Sequence, residues 1–107
     1  MADPQDFDHH GDVKRYDAGA RDEHIDKIVK HLGIALRGKD SSLVSCSDES
    51  ELHRIRDGFA AKKLGLSPDE AMTHMTAICE DMKGDRNKRR VTFLYHLAKR
   101  AGKLDQL

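Results

Sequence analysis

Hydrophobic residues recur at helical spacing along most of this chain. Residues three and four positions apart lie on one face of a helix, so each run of this kind indicates one amphipathic helix. The first three runs are Ile25, Ile28, Val29, Leu32 and Leu36; Leu52, Ile55 and Phe59; and Ala71, Met72, Met75, Ile78, Cys79 and Met82. No alternation of apolar and polar residues is long enough to indicate a strand. The pattern predicts an all-α fold, a compact bundle of four main helices.

Capping residues indicate where the last two helices begin. Ser67 precedes Pro68 and Glu70, which is the order of an N-cap, a first-turn proline and a capping box. Asp85 stands before the fourth apolar run, so we expect it to cap a last helix that extends to about Gly102.

The beginning of the chain has a different character. Its first twelve residues contain four aspartates and two histidines, with almost nothing apolar to bury. We therefore predict that residues 1–20 form an acidic tail that is disordered or loosely docked, with a short docking turn at residues 13–16. Residues 21–107 form the helical domain in this interpretation.

Length and composition limit the remaining choices. A chain of 107 residues makes one domain with one modest core. No stretch approaches the ~20 apolar residues of a membrane span, and the N-terminus lacks the apolar core of a secretion signal. We therefore expect a cytoplasmic protein without membrane contact. In that setting Cys46 and Cys79 are expected to be free thiols, and a disulfide between them is the open alternative.

Charge is distributed unevenly although the chain is neutral, with 19 basic and 19 acidic residues. Residues 83–103 carry eight basic residues against one acid, Asp85. Such a segment indicates either a nucleic-acid surface or an internal electrostatic clasp. We favour the clasp, because Glu80 and Asp81 end the preceding helix and can face the cations that begin the last one. These cations are Arg86, Lys88, Arg89 and Arg90, and the acids Asp48, Glu49 and Glu51 are candidates to join them.

The last helix also carries the candidate binding surface. Val91, Leu94, Tyr95 and Ala98 share one face, and Phe93 lies almost opposite them. This helix is therefore predicted either to pack between neighbours or to meet a partner with its second side. In the second case the surface consists of Arg86, Lys88, Arg89, Phe93, His96, Leu97, Lys99, Arg100 and Lys103.

Candidate chemistry is sparse. Cys46 precedes a helix and is seven residues from His53, but we interpret it as a small packed side chain rather than a nucleophile. The donors of "DFDHHGD", residues 6–12, are interpreted as a polar tail rather than a metal site. We therefore predict no catalytic residue, no metal and no cofactor. The favoured function is a noncatalytic protein-interaction or accessory module, which binds a partner protein or a second copy of itself. Weak nucleic-acid binding through the last helix is the alternative.

From about Leu36 onward the chain resembles a small family of uncharacterised bacterial proteins, the domain of unknown function 2853. The resemblance lies in "CSDESEL" (residues 46–52), "KKLGL" (residues 62–66) and the pattern of the last helix. That pattern consists of Arg86, Asn87, Lys88, Arg90, Phe93, Tyr95, Leu97, Lys99, Gly102 and Lys103. The resemblance implies a small helical fold, and it implies no particular activity, substrate or catalytic residue.

Overall fold

The computed structural model describes residues 9–32, 43–85 and 88–107, and these residues form five α-helices. The helices are α1 (His9–Tyr16), α2 (Asp22–Leu32), α3 (Glu49–Ile55), α4 (Pro68–Asp81) and α5 (Arg90–Arg100). A π-helical segment, Arg56–Lys63, continues α3, and a 3-10 turn, Leu104–Gln106, follows α5. The prediction of an all-α fold is confirmed, but α1 makes five helices rather than four. No helix in this part of the chain has both the length and the hydrophobicity that crossing a membrane requires.

The start of α4 is the one predicted from its local residues. Ser67 Oγ accepts a hydrogen bond from the Glu70 backbone N–H at 3.2 Å, and the Glu70 carboxylate accepts one from the Ser67 N–H at 3.4 Å. Pro68 occupies the first helical position, where its missing N–H leaves no bond unmade. The capping box predicted from the sequence is confirmed, because every group in it lies within four residues.

Helix α5 is the centre of the fold. It packs against α1, α2, α4 and the π-helical segment, and its side chains at Val91, Phe93, Leu97 and Ala98 are fully buried. The first of the two expectations for this helix is therefore confirmed: it packs between neighbours. A helix covered from several directions needs apolar residues on more than one face, which explains why Phe93 stands opposite the main stripe.

The first turn of α5 begins later than expected. Its N-cap residue is Arg89, not Asp85, and the Arg89 side chain makes no capping hydrogen bond. Residues 88 and 89 are instead paired with the segment before α3: the Val44 N–H donates to the Lys88 carbonyl at 2.8 Å, and Leu43 and Arg89 form an isolated antiparallel bridge. This pairing keeps the backbone extended up to Arg89.

The N-terminal region contains a packed helix where a tail was expected. In α1, Val13 is fully buried and Asp12 is 6% exposed. The Thr92 hydroxyl of α5 donates to the Asp12 carboxylate, which gives this buried acid a partner. The structure therefore differs from the predicted tail over residues 9–16, and residues 1–8 lie outside the described part. The acidic composition suggested disorder, but Asp12 binds α5.

Candidate functional site

A cleft of about 800 Å³ opens beside the segment that precedes α3. Residues 43–48 and the beginning of α3 form one wall, and the end of α4 and residues 88–90 form the other. The side chains that line it are those of Leu43, Val44, Ser45, Cys46, Ser47, Asp48, Glu51, Arg54, Cys79, Lys83, Lys88 and Arg90. Its volume falls in the range of about 300–1,000 Å³ that is typical of ligand pockets.

Two contacts hold residues 43–48 against the rest of the fold. Val44 is 4% exposed and joins the hydrophobic core, as its apolar side chain predicts. The Arg90 guanidinium donates a hydrogen bond to the Leu43 carbonyl at 3.1 Å. Together with the backbone bond from Val44, these contacts give the first wall of the cleft a defined position.

A disulfide joins the two walls. Cys46 in the first wall is bonded to Cys79 of α4, with their Cα atoms 5.9 Å apart. The expectation of free thiols is wrong, since folding brings residues 33 apart in sequence into bonding distance. In this bonded state neither sulfur is a free thiolate.

One part-buried ion pair lies in the wall of the cleft. The Arg90 guanidinium donates to the Glu51 carboxylate, and the two side chains are 14% and 15% exposed. Arg54, one turn after Glu51, places its guanidinium 4.0 Å from the same carboxylate. Glu51 was expected to join the clasp, and its pairing with Arg90 confirms that part of the prediction.

Most of the other charged side chains that line the cleft are cationic. Lys88 is half-buried, and its ammonium donates to the Asp85 carbonyl at 3.0 Å, a neutral acceptor that leaves its charge in place. Lys83 contacts Glu80 at 2.7 Å, but both side chains are at least 70% exposed, so water screens this pair strongly. Four cationic side chains therefore line the cleft against the two carboxylates of Asp48 and Glu51.

A second polar cluster joins the loop after α1 to α5. The Asp17 carboxylate accepts a hydrogen bond from the Tyr95 hydroxyl at 2.7 Å, and it lies 2.9 Å from the Lys99 ammonium. The Lys99 contact and the Tyr95 hydrogen bond hold the pKa of Asp17 below its usual value. Burial and the same carboxylate raise the pKa of Tyr95. The cluster neutralises a basic residue of α5 with an acid of the predicted tail.

His96 is half-buried between aromatic rings. It packs edge-on against Tyr16 at 5.3 Å and Tyr95 at 5.7 Å between ring centroids, and its Nε2 has no hydrogen-bond partner in the described ranges. Burial, and secondarily the nearby charge of Lys99, lowers the pKa of His96. The neutral imidazole is therefore the form that this site favours.

We expect the protein to lose stability as the pH falls from neutral to about 5, in part through His96. An unfolded histidine titrates near pH 6.5, so below that pH the unfolded chain binds a proton that the folded site resists. Urea unfolding of the native chain and of His96→Gln across this range should show a flatter pH profile for the variant. The lowered pKa of Asp17 changes the stability only below about pH 4, which is outside the range of this measurement. Parallel profiles for the two proteins would contradict the assignment.

The structure separates the residues of the predicted binding surface. Phe93 and Leu97 are both 0% exposed, so the expectation that they form an exposed docking surface is wrong. They are core residues, because α5 is covered on the side that the helical pattern left open. His96 and Lys103 are half-exposed, Lys88 lines the cleft and Arg89 lies in the bridge to Leu43. Arg86 lies outside the described residues.

The late basic residues do meet carboxylates of the same molecule, although mostly in pairings other than those expected. Arg90 pairs with Glu51, Lys99 with Asp17 at 2.9 Å, and Arg100 with Asp81 at 3.5 Å. Glu80, which was expected to face the start of α5, instead contacts Lys83 within its own turn. Internal neutralisation is thus confirmed for Lys83, Arg90, Lys99 and Arg100, through acids spread over the chain.

Of the donors in "DFDHHGD", the structure describes His9, His10 and Asp12, and these do not share one environment. His9 and Asp12 are buried, whereas His10 reaches Asp26 of α2 at 2.6 Å. Asp6 and Asp8 lie outside the described ranges. Over residues 9–32, 43–85 and 88–107, no three His, Cys, Asp or Glu side chains group closely enough to hold a metal ion.

Sequence reasoning singled out most parts of the cleft without joining them. It identified Cys46, Cys79, Glu51 and Lys88 separately, and it did not identify Arg54 or Lys83 as site residues. A chain with two cysteines allows one pairing, which was the available signal, but sequence alone does not reveal the distance between them.

All five helices, including α1, fall within the part of the chain that one family model matches. The family model described as protein of unknown function (DUF2853) matches residues 8–105. The match begins at residue 8 rather than near Leu36, so the family extends over α1 and α2 as well as the helices that carry the resemblance. No curated protein matches the chain. The chain belongs to the DUF2853 family.

Proposed function

We propose that this chain is a noncatalytic interaction module that binds an acidic segment of a partner protein in its cationic cleft. The observation that carries the proposal is the excess of cations in one concave surface, where Arg54, Lys83 and Lys88 accompany the part-buried Arg90–Glu51 pair. A cleft lined mainly by one sign of charge concentrates ligands of the opposite sign. An extended segment bearing Asp or Glu side chains matches both the charge and the polar lining.

Size and shape favour a peptide segment over a nucleic acid. A volume of about 800 Å³ accepts a few side chains, whereas a duplex needs an extended basic surface. The cations of α5 that would have formed such a surface, Lys99 and Arg100, lie beside Asp17 and Asp81. Phe93, the aromatic residue that we considered for base stacking, is buried. Weak nucleic-acid binding is the alternative, and comparing peptide and nucleic-acid probes distinguishes it from binding of an acidic segment.

A location in the cytoplasm is part of the proposal, and so is the absence of catalysis. The pairing of Cys46 with Cys79 supports the second point, because it leaves neither thiol available as a resting nucleophile. In a reducing compartment such a bond is typically transient or redox-sensing. A cytoplasmic location therefore implies that the Cys46–Cys79 bond can be reduced in the cell.

The test measures fluorescence anisotropy of a short labelled peptide of alternating Glu and Ser, with a Lys/Ser peptide, duplex DNA and single-stranded RNA as comparison probes. We expect the acidic peptide to bind most tightly and to weaken as salt is added. Lys83→Gln/Lys88→Gln should weaken it about tenfold, because each screened ion pair contributes about 0.5–1 kcal/mol and ~1.4 kcal/mol is a factor of ten.

The matched control is Lys30→Gln/Lys62→Gln, which removes two exposed positive charges that do not line the cleft. It should bind the acidic peptide almost as tightly as the native chain. Equal losses in the two variants would mean that the cleft is not the site. Tighter binding of DNA or RNA than of the peptide, lost in the cleft variant, would favour the alternative.

A further inference from the structure

The Cys46–Cys79 disulfide occupies an unusual position, since both of its residues line the cationic cleft and neither is fully buried. A purely structural disulfide gains nothing from neighbouring cations, because neither sulfur carries a charge. Exchange with a thiol is different: the attacking species and the leaving group are both thiolates. Positive side chains in the same cleft therefore favour the reaction rather than the resting state.

We infer that the Cys46–Cys79 disulfide is a stoichiometric thiol-exchange site whose reaction partner is an anionic low-molecular-weight thiol that docks in the same cleft. The inference rests on the cleft of the proposed function, and it names a second anionic ligand for it. Lys83 and Lys88 on one wall and Arg54 on the other supply charges that attract the carboxylates of such a thiol.

The exchange balances in two steps. A first thiolate attacks one sulfur of the pair, the Cys46–Cys79 bond breaks, and a mixed disulfide forms while the other cysteine leaves as a thiolate. A second thiolate attacks the small-molecule sulfur of the mixed disulfide and releases the second cysteine. Overall, two small thiols lose two electrons and two protons and become one disulfide, and Cys46 and Cys79 gain them as two thiols.

Reduction would change one wall of the cleft and leave its attachment in place. Residues 43–44 stay bound to residues 88–90 through the Val44 N–H at 2.8 Å and the Arg90 guanidinium at 3.1 Å. The connection from Cys46 to α4 is the one that is lost. The disulfide therefore holds the wall that carries Ser45, Ser47 and Asp48 against α4, and its reduction releases that wall. Thiol exchange is in this way coupled to binding of the acidic segment.

The experiment follows reduction of the oxidised full-length chain by three thiols of different charge: glutathione, which is anionic, 2-mercaptoethanol, which is neutral, and cysteamine, which is cationic. Free cysteines are trapped by alkylation and counted by mass spectrometry, and rates are compared per thiolate. We expect glutathione to react about tenfold faster than cysteamine at low salt, an advantage that added salt removes. Lys83→Gln/Lys88→Gln should abolish the preference, and Lys30→Gln/Lys62→Gln should retain it.

Equal rates for the three thiols, or faster reaction of cysteamine, would overturn the inference. So would a purified, air-oxidised protein in which both cysteines still react with the alkylating agent. The peptide-binding experiment is independent of this one. Peptide binding without charge-selective exchange would refute the exchange site alone, and charge-selective exchange without peptide binding would refute the proposed function alone.

Discussion

Replacing Phe93 by alanine should lower the free energy of unfolding by about 3–5 kcal/mol. The side chain is fully buried in α5, the helix that contacts α1, α2, α4 and the π-helical segment. Truncation removes a ring from the centre of the fold, where several helices would have to move to close the cavity. Urea unfolding followed by circular dichroism measures the loss, and a thermal midpoint lowered by more than about 10 °C should accompany it.

This substitution also distinguishes a core role from the docking role that the sequence suggested. Arg100→Ala, on the same helix, is the control, because its side chain is 44% exposed and its ion pair with Asp81 is a surface one. We expect that change to alter stability by less than about 1 kcal/mol. A Phe93→Ala protein of native stability that had lost self-association or partner binding would reverse the assignment and restore Phe93 to the surface.

Removing the disulfide should cost about 3–4 kcal/mol of stability. The bond closes a loop between cysteines 33 residues apart, and the chain-entropy model gives this range for a loop of that length. Cys46→Ser/Cys79→Ser is the variant, and its urea midpoint should fall well below that of the oxidised native chain. Since small domains are stable by about 5–15 kcal/mol, the variant should still fold at room temperature.

The native chain with its cysteines reduced provides the matched comparison. If the effect comes from the constraint, the reduced chain and the double serine variant should unfold at nearly the same urea concentration. A difference below about 1 kcal/mol between oxidised and reduced native protein would contradict the prediction. It would mean that the contacts of Val44 and Arg90 already hold residues 43–48 in place.

Helix α4 shows how well local signals can predict structure. Ser67, Pro68 and Glu70 define its start within four residues, and all the expected bonds are present. The apolar spacing likewise predicted the buried residues Ile25, Ile28 and Met75. In each case the interactions that determine the structure are made between neighbours along the chain or along a single helix face.

Helices α5 and α1 show what local sequence signals do not predict. The sequence of α5 allowed two environments for Phe93, and the choice depended on whether other helices cover its second side. The composition around Asp12 and Asp17 indicated disorder, because it offers little to bury. Those carboxylates become stable in a folded segment only when Thr92, Tyr95 and Lys99 are there to bind them.

The same distinction applies to the candidate site. Its residues were visible in the sequence as a basic segment, a cap region and two cysteines, each with a local explanation. The cleft exists because Glu51 meets Arg90, Cys46 meets Cys79 and Val44 meets Lys88. No local sequence pattern indicates that the two residues of each pair lie close together in space.

By itself, the sequence determined that this protein is helical, where α2 and α4 begin, and that its late basic segment needs anionic partners. Apolar period and capping chemistry act over a few residues, so they can be read along the chain. Tertiary structure alone decided which carboxylates neutralise Arg90 and Lys99, that the cysteines are joined, and that Phe93 is buried. Each of these outcomes depends on the distance between residues far apart in sequence, which is set only when the helices pack.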